Sequence, residues 1–216
     1  MSILPIGLRT EDKRCLVIGG GAVALAKVQA VLQSNLRVVV VSPDVTPEFD
    51  LLQEIEIHRR EFVPADLDLI DIGIAATNDR SVNDAFAREC RARGVLCNVV
   101  DEPAQSDFII PSTLRRGPLT VSVLTAGAAP ALARRLRREL EGSFAEDFGR
   151  YVAFLRQARD LAKQLLPDTE QRRRIAGYLA SDEGHNRFLS LTEDQRDAWL
   201  SELIEQAKQP CEDQSR

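Results

Sequence analysis

A glycine turn, Gly19-Gly20-Gly21-Ala22-Val23-Ala24, separates an apolar run from a stretch of helix-forming residues. The turn fits the spacing G-x-G-x-x-[GA]. In this pattern Gly19 permits a tight turn, Gly21 lets a ligand approach the backbone, and the small Ala24 lets the helix pack closely against the strand. Free N–H groups at the helix start suit a pyrophosphate. The turn therefore predicts a dinucleotide site, although such a turn can also be a simple tight connection.

The position of the nearest acid bears on which dinucleotide this site would take. The acid that usually holds the ribose hydroxyls follows the second strand, about 20 residues past the turn. Here the second apolar run ends at Ser42, and the nearest acid is Asp44. Either Asp44 or the backbone around Pro43 could hold the ribose. No arginine lies between Ser42 and Asp50 to pair with a 2′-phosphate. The pattern favours NAD over NADP.

A second candidate for chemistry, Asp101, comes directly after an apolar run that ends at Val100. Ligands of open α/β folds bind at the carboxyl edge of the sheet, where this side chain is expected. A carboxylate there could accept the proton released when hydride leaves for a nicotinamide. On the residues alone, an aspartate before Glu102-Pro103 is more typical of an ordinary turn. Lys27, one turn into the first helix, could neutralise ligand charge or could simply be solvated.

The middle of the chain carries a block of positive charge. No acidic residue lies between Asp107 and Glu139, and the six arginines of this stretch are Arg115, Arg116, Arg134, Arg135, Arg137 and Arg138. In a chain of net charge -5 such a block suits a polycarboxylate ligand. Arg134 and Arg138 share one helix face at i, i+4 and are the candidate substrate contacts. A solvated helix face or a contact between subunits explains the same pattern.

Alternating strand and helix patterns must position these residues. Short apolar runs predict strands at 14–18, 36–41, 55–58, 69–76 and 95–100, and helices are predicted at 22–34 and 78–93. Strands separated by helices of this length form βαβ units with a parallel sheet. We therefore predict an α/β, Rossmann-like domain over residues 1–113.

Beyond residue 113 the pattern changes to one strand followed by helices. Residues 119–124 alternate like a strand, and 129–140 form a predicted helix that Gly142-Ser143 should break. Later helices are predicted at 144–165, 168–179 and 192–208, with His185 in a polar loop. The prediction is a strand-plus-helix segment at 114–143, a helical domain at 144–208 and a disordered tail at 209–216.

Composition excludes several classes of protein. A net charge of -5 and a pI near 5.2 argue against nucleic-acid binding. The chain has no apolar run long enough for a membrane span and no basic-then-apolar leader typical of secretion. Its cysteines and histidines lack the spacing of a metal site; they are Cys15, Cys90, Cys97, Cys211, His58 and His185. Reduced thiols indicate the cytoplasm.

Several stretches in a fixed order resemble a known family. They are Leu4-Pro5-Ile6, Val17-Ile18 with the glycine turn and Lys27, Ala75-Ala76-Thr77-Asn78-Asp79, Asn98-Val99-Val100-Asp101, Phe108-Ile109-Ile110-Pro111-Ser112, and residues 127–138. Together they resemble the precorrin-2 dehydrogenase and sirohydrochlorin ferrochelatase family, of the siroheme-synthase N-terminal type. This combination is far more specific than the glycine turn alone.

The resemblance implies NAD-dependent oxidation of precorrin-2, a tetrapyrrole, to sirohydrochlorin in siroheme biosynthesis. Some members also insert Fe2+ as a second substrate. It further implies a homodimer joined through the segment at 114–143. By position, Asp101 matches the family's acidic residue. The expected cofactor contacts are Gly19, Gly21, Ala22, Val23, Pro43, Asp44 and Thr77.

One departure from the family pattern is visible. The family often reads glycine-glycine-x-serine-proline where this chain has Gly127-Ala128-Ala129-Pro130, which argues against regulation by phosphorylation at Ala129. The methyltransferase fused to longer relatives is not expected within 216 residues. The alternative hypothesis is a non-catalytic NAD-binding redox sensor with a helical partner-binding domain, in which Asp101 would be dispensable.

Overall fold

The computed structural model describes residues 2–208, so the expected tail at 209–216 lies outside the described residues. The chain divides into two compact units, one up to Pro111 and one from Ser112 onward. This division falls close to the boundary expected after residue 113. The segments expected at 114–143 and 144–208 both lie in the second unit.

The first unit is built on a five-stranded parallel sheet. Its strands are β1 (Arg14–Ile18), β2 (Arg37–Val41), β3 (Ile55–His58), β4 (Ile72–Ala75) and β5 (Leu96–Val99), and its helices are α1 (Ala22–Leu32) and α2 (Arg80–Arg93). The strand order is β3-β2-β1-β4-β5, so the order reverses between β1 and β4. This arrangement confirms the predicted Rossmann-like α/β fold.

Both faces of the sheet are buried. Successive side chains of a strand point to opposite faces. Leu16 and Ile18 of β1 therefore pack in a cluster with Phe86 of α2, whereas Cys15 and Val17 pack in a cluster with Val28 of α1. Because one helix covers each face, only the edges of the sheet stay open. The carboxyl ends of β1, β2 and β4 meet at one of these edges.

The second unit begins with a hairpin and continues in helices. The elements are β6 (Ser112–Arg116), β7 (Leu119–Val123), α3 (Pro130–Ser143), α4 (Asp147–Leu165), α5 (Thr169–Leu179), α6 (Asp182–Ser190) and α7 (Glu193–Lys208). β6 and β7 pair antiparallel. Across residues 2–208, no helix has the combined length and apolar character needed to cross a membrane.

Two local predictions in this unit are wrong, and one is confirmed. The sequence predicts one strand here, but the structure has two, because β6 buries only Leu114 and so shows no apolar run. The break expected at Gly142-Ser143 does occur, since α3 ends at Ser143. The polar loop expected around His185 is helix α6.

The polar residues at the beginning of α6 stabilise the N-terminus of the helix. Ser181 caps the helix and accepts a hydrogen bond from the Gly184 N–H at 3.2 Å, and the acids of the first turn favour the positive end of the helix dipole. The His185 ring lies 4.4 Å from the Tyr151 ring and 5.0 Å from the Phe148 ring, centroid to centroid. His185 is therefore part of the packing of the helical domain.

Gly184 is held tightly against the preceding helix. A Cβ at this position would lie 2.4 Å from the Tyr178 carbonyl oxygen. We expect Gly184→Ala to lower the free energy of unfolding by about 3 kcal/mol, because backbone atoms cannot move aside. The control is Gly177→Ala in α5, where a Cβ meets nothing within 4 Å and should stabilise by about 0.5–1 kcal/mol. Urea denaturation measures both, and equal effects would contradict the expectation.

Candidate dinucleotide-binding site

An open cleft of about 610 Å³ lies at the carboxyl edge of the parallel sheet. Its walls are the turn between β1 and α1, the loop after β2, the loop after β4, and two residues that follow β3. All seven expected cofactor contacts line it, namely Gly19, Gly21, Ala22, Val23, Pro43, Asp44 and Thr77. The fold thus brings together residues from three separate segments. Their role in binding a cofactor stays a prediction.

The first two residues of the turn must be glycines, because backbone atoms of neighbouring loops lie where a Cβ would be. Gly19 has a φ of +112°, and a Cβ on it would lie 2.4 Å from the Ala76 carbonyl oxygen. A Cβ on Gly20 would lie only 1.9 Å from the Asp44 carbonyl oxygen. The Gly20 carbonyl accepts a hydrogen bond from the Thr46 N–H at 2.9 Å. Sequence reasoning gave Gly20 no role, although three consecutive glycines could have signalled it.

Gly21 differs from its neighbours because space is open around it. It is the N-cap residue of α1, it is exposed, and a Cβ would meet nothing within 4 Å. No side chain of the described residues caps this helix start. The N–H groups of the first turn, at the positive end of the helix dipole, therefore face the cleft without a protein partner. This is an anion-binding arrangement that suits a phosphate.

The loop after β2 has a rigid backbone and an exposed outer surface. The Ser42 hydroxyl is buried and donates to the Asp44 carbonyl at 2.6 Å, and the Ser42 N–H donates to the His58 carbonyl at 3.1 Å. Together with Gly20 these bonds fix the path of the loop. The side chains of Pro43 and Asp44 are left exposed on the cleft wall, where the ribose of a dinucleotide is expected.

The loop after β4 is held by one buried side chain, Asn83 of α2. Its Oδ1 accepts hydrogen bonds from the Thr77 hydroxyl at 2.8 Å and the Thr77 N–H at 3.3 Å. Its Nδ2 donates to the Thr77 carbonyl at 3.0 Å. Asp79 caps α2 by accepting from the N–H groups of Ser81 and Val82, and hydrogen bonds led by the Ser81 hydroxyl lower the Asp79 pKa. Sequence reasoning missed Asn83, because an isolated asparagine inside a helix carries no motif.

Replacing Asn83 with alanine should loosen this wall of the cleft. The change removes three hydrogen bonds and leaves polar groups of Thr77 unpaired, so we expect a loss of about 2 kcal/mol in unfolding free energy and weaker NAD+ binding. Chemical denaturation and titration calorimetry measure the two effects. Gln29→Ala, on the exposed face of α1, is the control and should change stability by less than about 0.5 kcal/mol. Equal stability of the two variants would refute the role of Asn83.

Asp101 lies at the same edge of the sheet, shortly after β5, but it does not line the cleft. It is exposed and has a φ of +61°, a left-handed conformation that aspartate adopts more readily than most residues. Burial lowers the pKa of Lys27, and the negative charge of Asp101 acts in the opposite direction. Lys27 is therefore a half-buried cation in the field of Asp101.

The candidate substrate arginines lie on α3 in the second unit. Arg135 and Arg137 form i, i+4 ion pairs with Glu139 and Glu141. Arg134 and Arg138 are exposed and have no ion pair or hydrogen bond to another described residue. The two candidates are thus free to meet an anion. Their contact with substrate stays a prediction.

A doubly wound parallel sheet whose glycine turn opens on a cleft at the reversal of strand order defines a dinucleotide-binding domain. Residues 6–112 match the NAD(P)-binding family model, and residues 116–143 match the model for the central part of sirohaem biosynthesis proteins. The chain is therefore similar to dinucleotide-binding proteins in its first unit and to sirohaem biosynthesis proteins in its second.

Siroheme synthases are similar to this chain over most of its length. The siroheme synthase of Thioalkalivibrio sulfidiphilus is 38% identical over 208 residues, which are 95% of this chain and 42% of that protein. The siroheme synthase of Chromobacterium violaceum is 40% identical over 178 residues, 81% of this chain and 38% of that protein. The chain thus spans about two fifths of the length of these relatives.

A solved structure shares the fold. The structure titled SirC, precorrin-2 dehydrogenase, superposes with a TM-score of 0.80 and 23% identity. The match covers 94% of this chain and all of that one. The likeness extends beyond the dinucleotide-binding unit and includes the hairpin and helices that follow it.

Proposed function

We propose that this protein is an NAD-dependent precorrin-2 dehydrogenase that oxidises precorrin-2 to sirohydrochlorin in siroheme biosynthesis. One observation carries the proposal. The start of α1 is uncapped and lies beside Gly21 in a cleft at the reversal of strand order, and 95% of this chain matches a siroheme synthase. A non-catalytic sensor would explain the cleft but not the similarity across the second unit.

The residues of the cleft fit NAD+. We assign the pyrophosphate to the backbone of Gly21 and the first turn of α1, because open space and unpartnered N–H groups occur there together. Pro43 and Asp44 would hold the adenosine ribose, and Thr77 would contact the cofactor from the loop after β4. When bound, NAD+ supplies the hydride acceptor.

The protein's own groups would handle the proton and the substrate charge. Oxidation of precorrin-2 releases one hydride and one proton, and we assign the proton to the carboxylate of Asp101. The guanidinium groups of Arg134 and Arg138 would pair with carboxylates of the tetrapyrrole.

Iron insertion is the second part of the proposal. Among residues 2–208, no three His, Cys, Asp or Glu side chains come together as a metal-holding group. Fe2+ would be a substrate that enters together with sirohydrochlorin. Asp101 would assist delivery of the metal and removal of the pyrrole protons.

We further propose that the chain is a cytoplasmic homodimer joined through residues 114–143. Leu114 and Ala133 are the buried hydrophobic residues of the hairpin and α3, whereas Leu132 is 40% exposed. This segment has too little core of its own, so an apolar partner surface would stabilise it. The free, buried thiols of Cys15, Cys90 and Cys97 suit a reducing compartment. Light scattering should give twice the chain mass, and a monomer mass would refute the dimer.

An anaerobic assay tests the proposed reaction. Purified protein is mixed with enzymatically generated precorrin-2 and NAD+, and the visible spectrum is followed. The expected result is a sirohydrochlorin spectrum that requires NAD+. Adding Fe2+ against a blank without enzyme then tests iron insertion. If NAD+ binds but the spectrum does not change, the dehydrogenase proposal fails and the sensor replaces it.

A further inference from the structure

We infer that Glu61 determines the dinucleotide specificity of the cleft by repelling a 2′-phosphate. Asp66 contributes because it pairs with Arg60, which is then not available to bind such a phosphate. This inference rests on the proposed NAD+ site and deepens it. It concerns the residues that follow β3, which sequence reasoning did not connect with the cofactor.

The end of β3 lies beside the ribose corner of the cleft. β3 pairs with β2, and the bond from the Ser42 N–H to the His58 carbonyl continues that pairing past the last residue of β2. The chain then turns along the carboxyl edge of the sheet, and Glu61 and Phe62 line the same cleft as Asp44. The adenosine ribose of a dinucleotide binds at the end of the second strand in this fold. The exposed Glu61 carboxylate therefore belongs to the ribose corner.

Glu61 is held in place by both of its neighbours. The Phe62 ring packs edge-on against the fully buried Phe86 ring of α2, with 5.1 Å between centroids. On the other side, Arg60 donates to both carboxylate oxygens of Asp66 at 2.8 Å and 2.5 Å, and it also donates to the Glu61 carbonyl at 3.0 Å. The backbone is thus held on both sides of Glu61, and these contacts keep the residue at the ribose corner.

The two arginines beside Glu61 are committed to other carboxylates. The two-point pair with Arg60 lowers the pKa of Asp66, chiefly through hydrogen bonding. The Arg59 guanidinium donates to Asp50 at 2.6 Å. No lysine or arginine is among the cleft-lining residues of the described chain, whereas Asp44 and Glu61 both are. A 2′-phosphate in this corner would therefore meet two carboxylates and no unpaired guanidinium.

These contacts also correct the basis of the cofactor prediction. The lack of an arginine between residues 42 and 50 predicts NAD from the sequence. The fold brings two arginines, Arg59 and Arg60, close to the ribose corner, and they alone would favour a 2′-phosphate. Because Arg59 pairs with Asp50 and Arg60 pairs with Asp66, neither arginine is available to a 2′-phosphate. The exposed carboxylate of Glu61 also repels that phosphate, so the site is expected to prefer NAD.

The test is the affinity of the whole chain for NAD+ and for NADP+, measured by titration calorimetry. We expect the wild type to prefer NAD+. Glu61→Gln removes one negative charge and should tighten NADP+ binding about tenfold, with little change for NAD+. Adding Asp66→Asn, which releases Arg60, should tighten NADP+ further. Glu54→Gln, an equal charge change on a residue that does not line this cleft, is the matched control and should leave the preference unchanged.

The outcomes separate the two proposals. If the wild type binds NAD+ but Glu61→Gln leaves the preference unchanged, or changes it only as much as Glu54→Gln does, the inference is overturned and the proposed function stands. A wild type that prefers NADP+ also overturns it. If the wild type binds neither dinucleotide, the proposed function fails and the inference falls with it. Glu61 is exposed, so the single variant should fold.

Discussion

Asp101→Asn is expected to slow NAD+-dependent oxidation of precorrin-2 by about 10²–10⁴-fold, because an amide has the shape of the carboxylate but cannot accept the proton. Binding of NAD+ should be unchanged, since Asp101 does not line the cleft. Asparagine is preferable to alanine here. At a φ of +61° asparagine is tolerated nearly as well as aspartate, so backbone strain does not confound the result. Stopped-flow absorbance measures the rate, and calorimetry measures the affinity for NAD+.

The chain offers a matched control for this variant. Asp12 is also an exposed aspartate with a positive φ, of 63°, but it lies just before β1, at the opposite edge of the sheet. Asp12→Asn should therefore leave the rate unchanged. Wild-type activity in Asp101→Asn, with NAD+ still bound, would exclude Asp101 as the proton acceptor. A loss of NAD+ affinity would instead make Asp101 a cofactor contact.

The glycine turn yields a second large expected effect, because its neighbouring glycines have different roles. Gly20→Ala should lower the free energy of unfolding by about 3 kcal/mol, since its Cβ would overlap the Asp44 carbonyl oxygen, and the displaced loop should lose NAD+ binding as well. Gly21→Ala should cost at most about 1 kcal/mol, because no atom lies near its Cβ. The added methyl group would nevertheless stand where the pyrophosphate approaches the backbone.

The two glycine variants together separate fold from binding. Denaturant titration and NAD+ calorimetry on both proteins should show Gly20→Ala defective in stability and binding, and Gly21→Ala defective in binding alone. If Gly21→Ala binds NAD+ as tightly as the wild type, the pyrophosphate does not lie at the start of α1. If Gly20→Ala is fully stable, the close approach to the loop after β2 is not a constraint.

The parallel sheet was predictable because its signals are local. Each buried strand is a short apolar run, and β1 is followed at once by the glycine turn and α1. The limits of the elements were harder to predict. The expected strand at 69–76 is shorter in the structure, where β4 begins at Ile72, because Leu69 has a φ of +62° that no strand allows. A sequence pattern does not reveal such a conformation at a leucine.

The parts of the cleft that sequence reasoning missed depend on contacts between distant segments. Gly20 matters because the loop around Asp44 returns to it, and Glu61 because the chain after β3 passes the end of β2. Asn83 is buried only because α2 packs over the loop after β4. The seven residues expected to contact the cofactor could be placed at the cleft because the glycine turn and the resemblance named them individually.

The open start of α1 bears on how this site tolerates mutation. The groups that face the cleft there are peptide N–H groups, which every residue except proline possesses. Random changes at the exposed Ala22 or Val23 would therefore preserve the anion-binding groups as long as the helix begins at the same residue. The side chains at these two positions can therefore change during evolution, and such changes would adjust the shape of the cleft. The positions sensitive to substitution are the glycines that set the backbone path. A mutational scan of the turn should therefore find sensitive and tolerant positions within a few residues of each other.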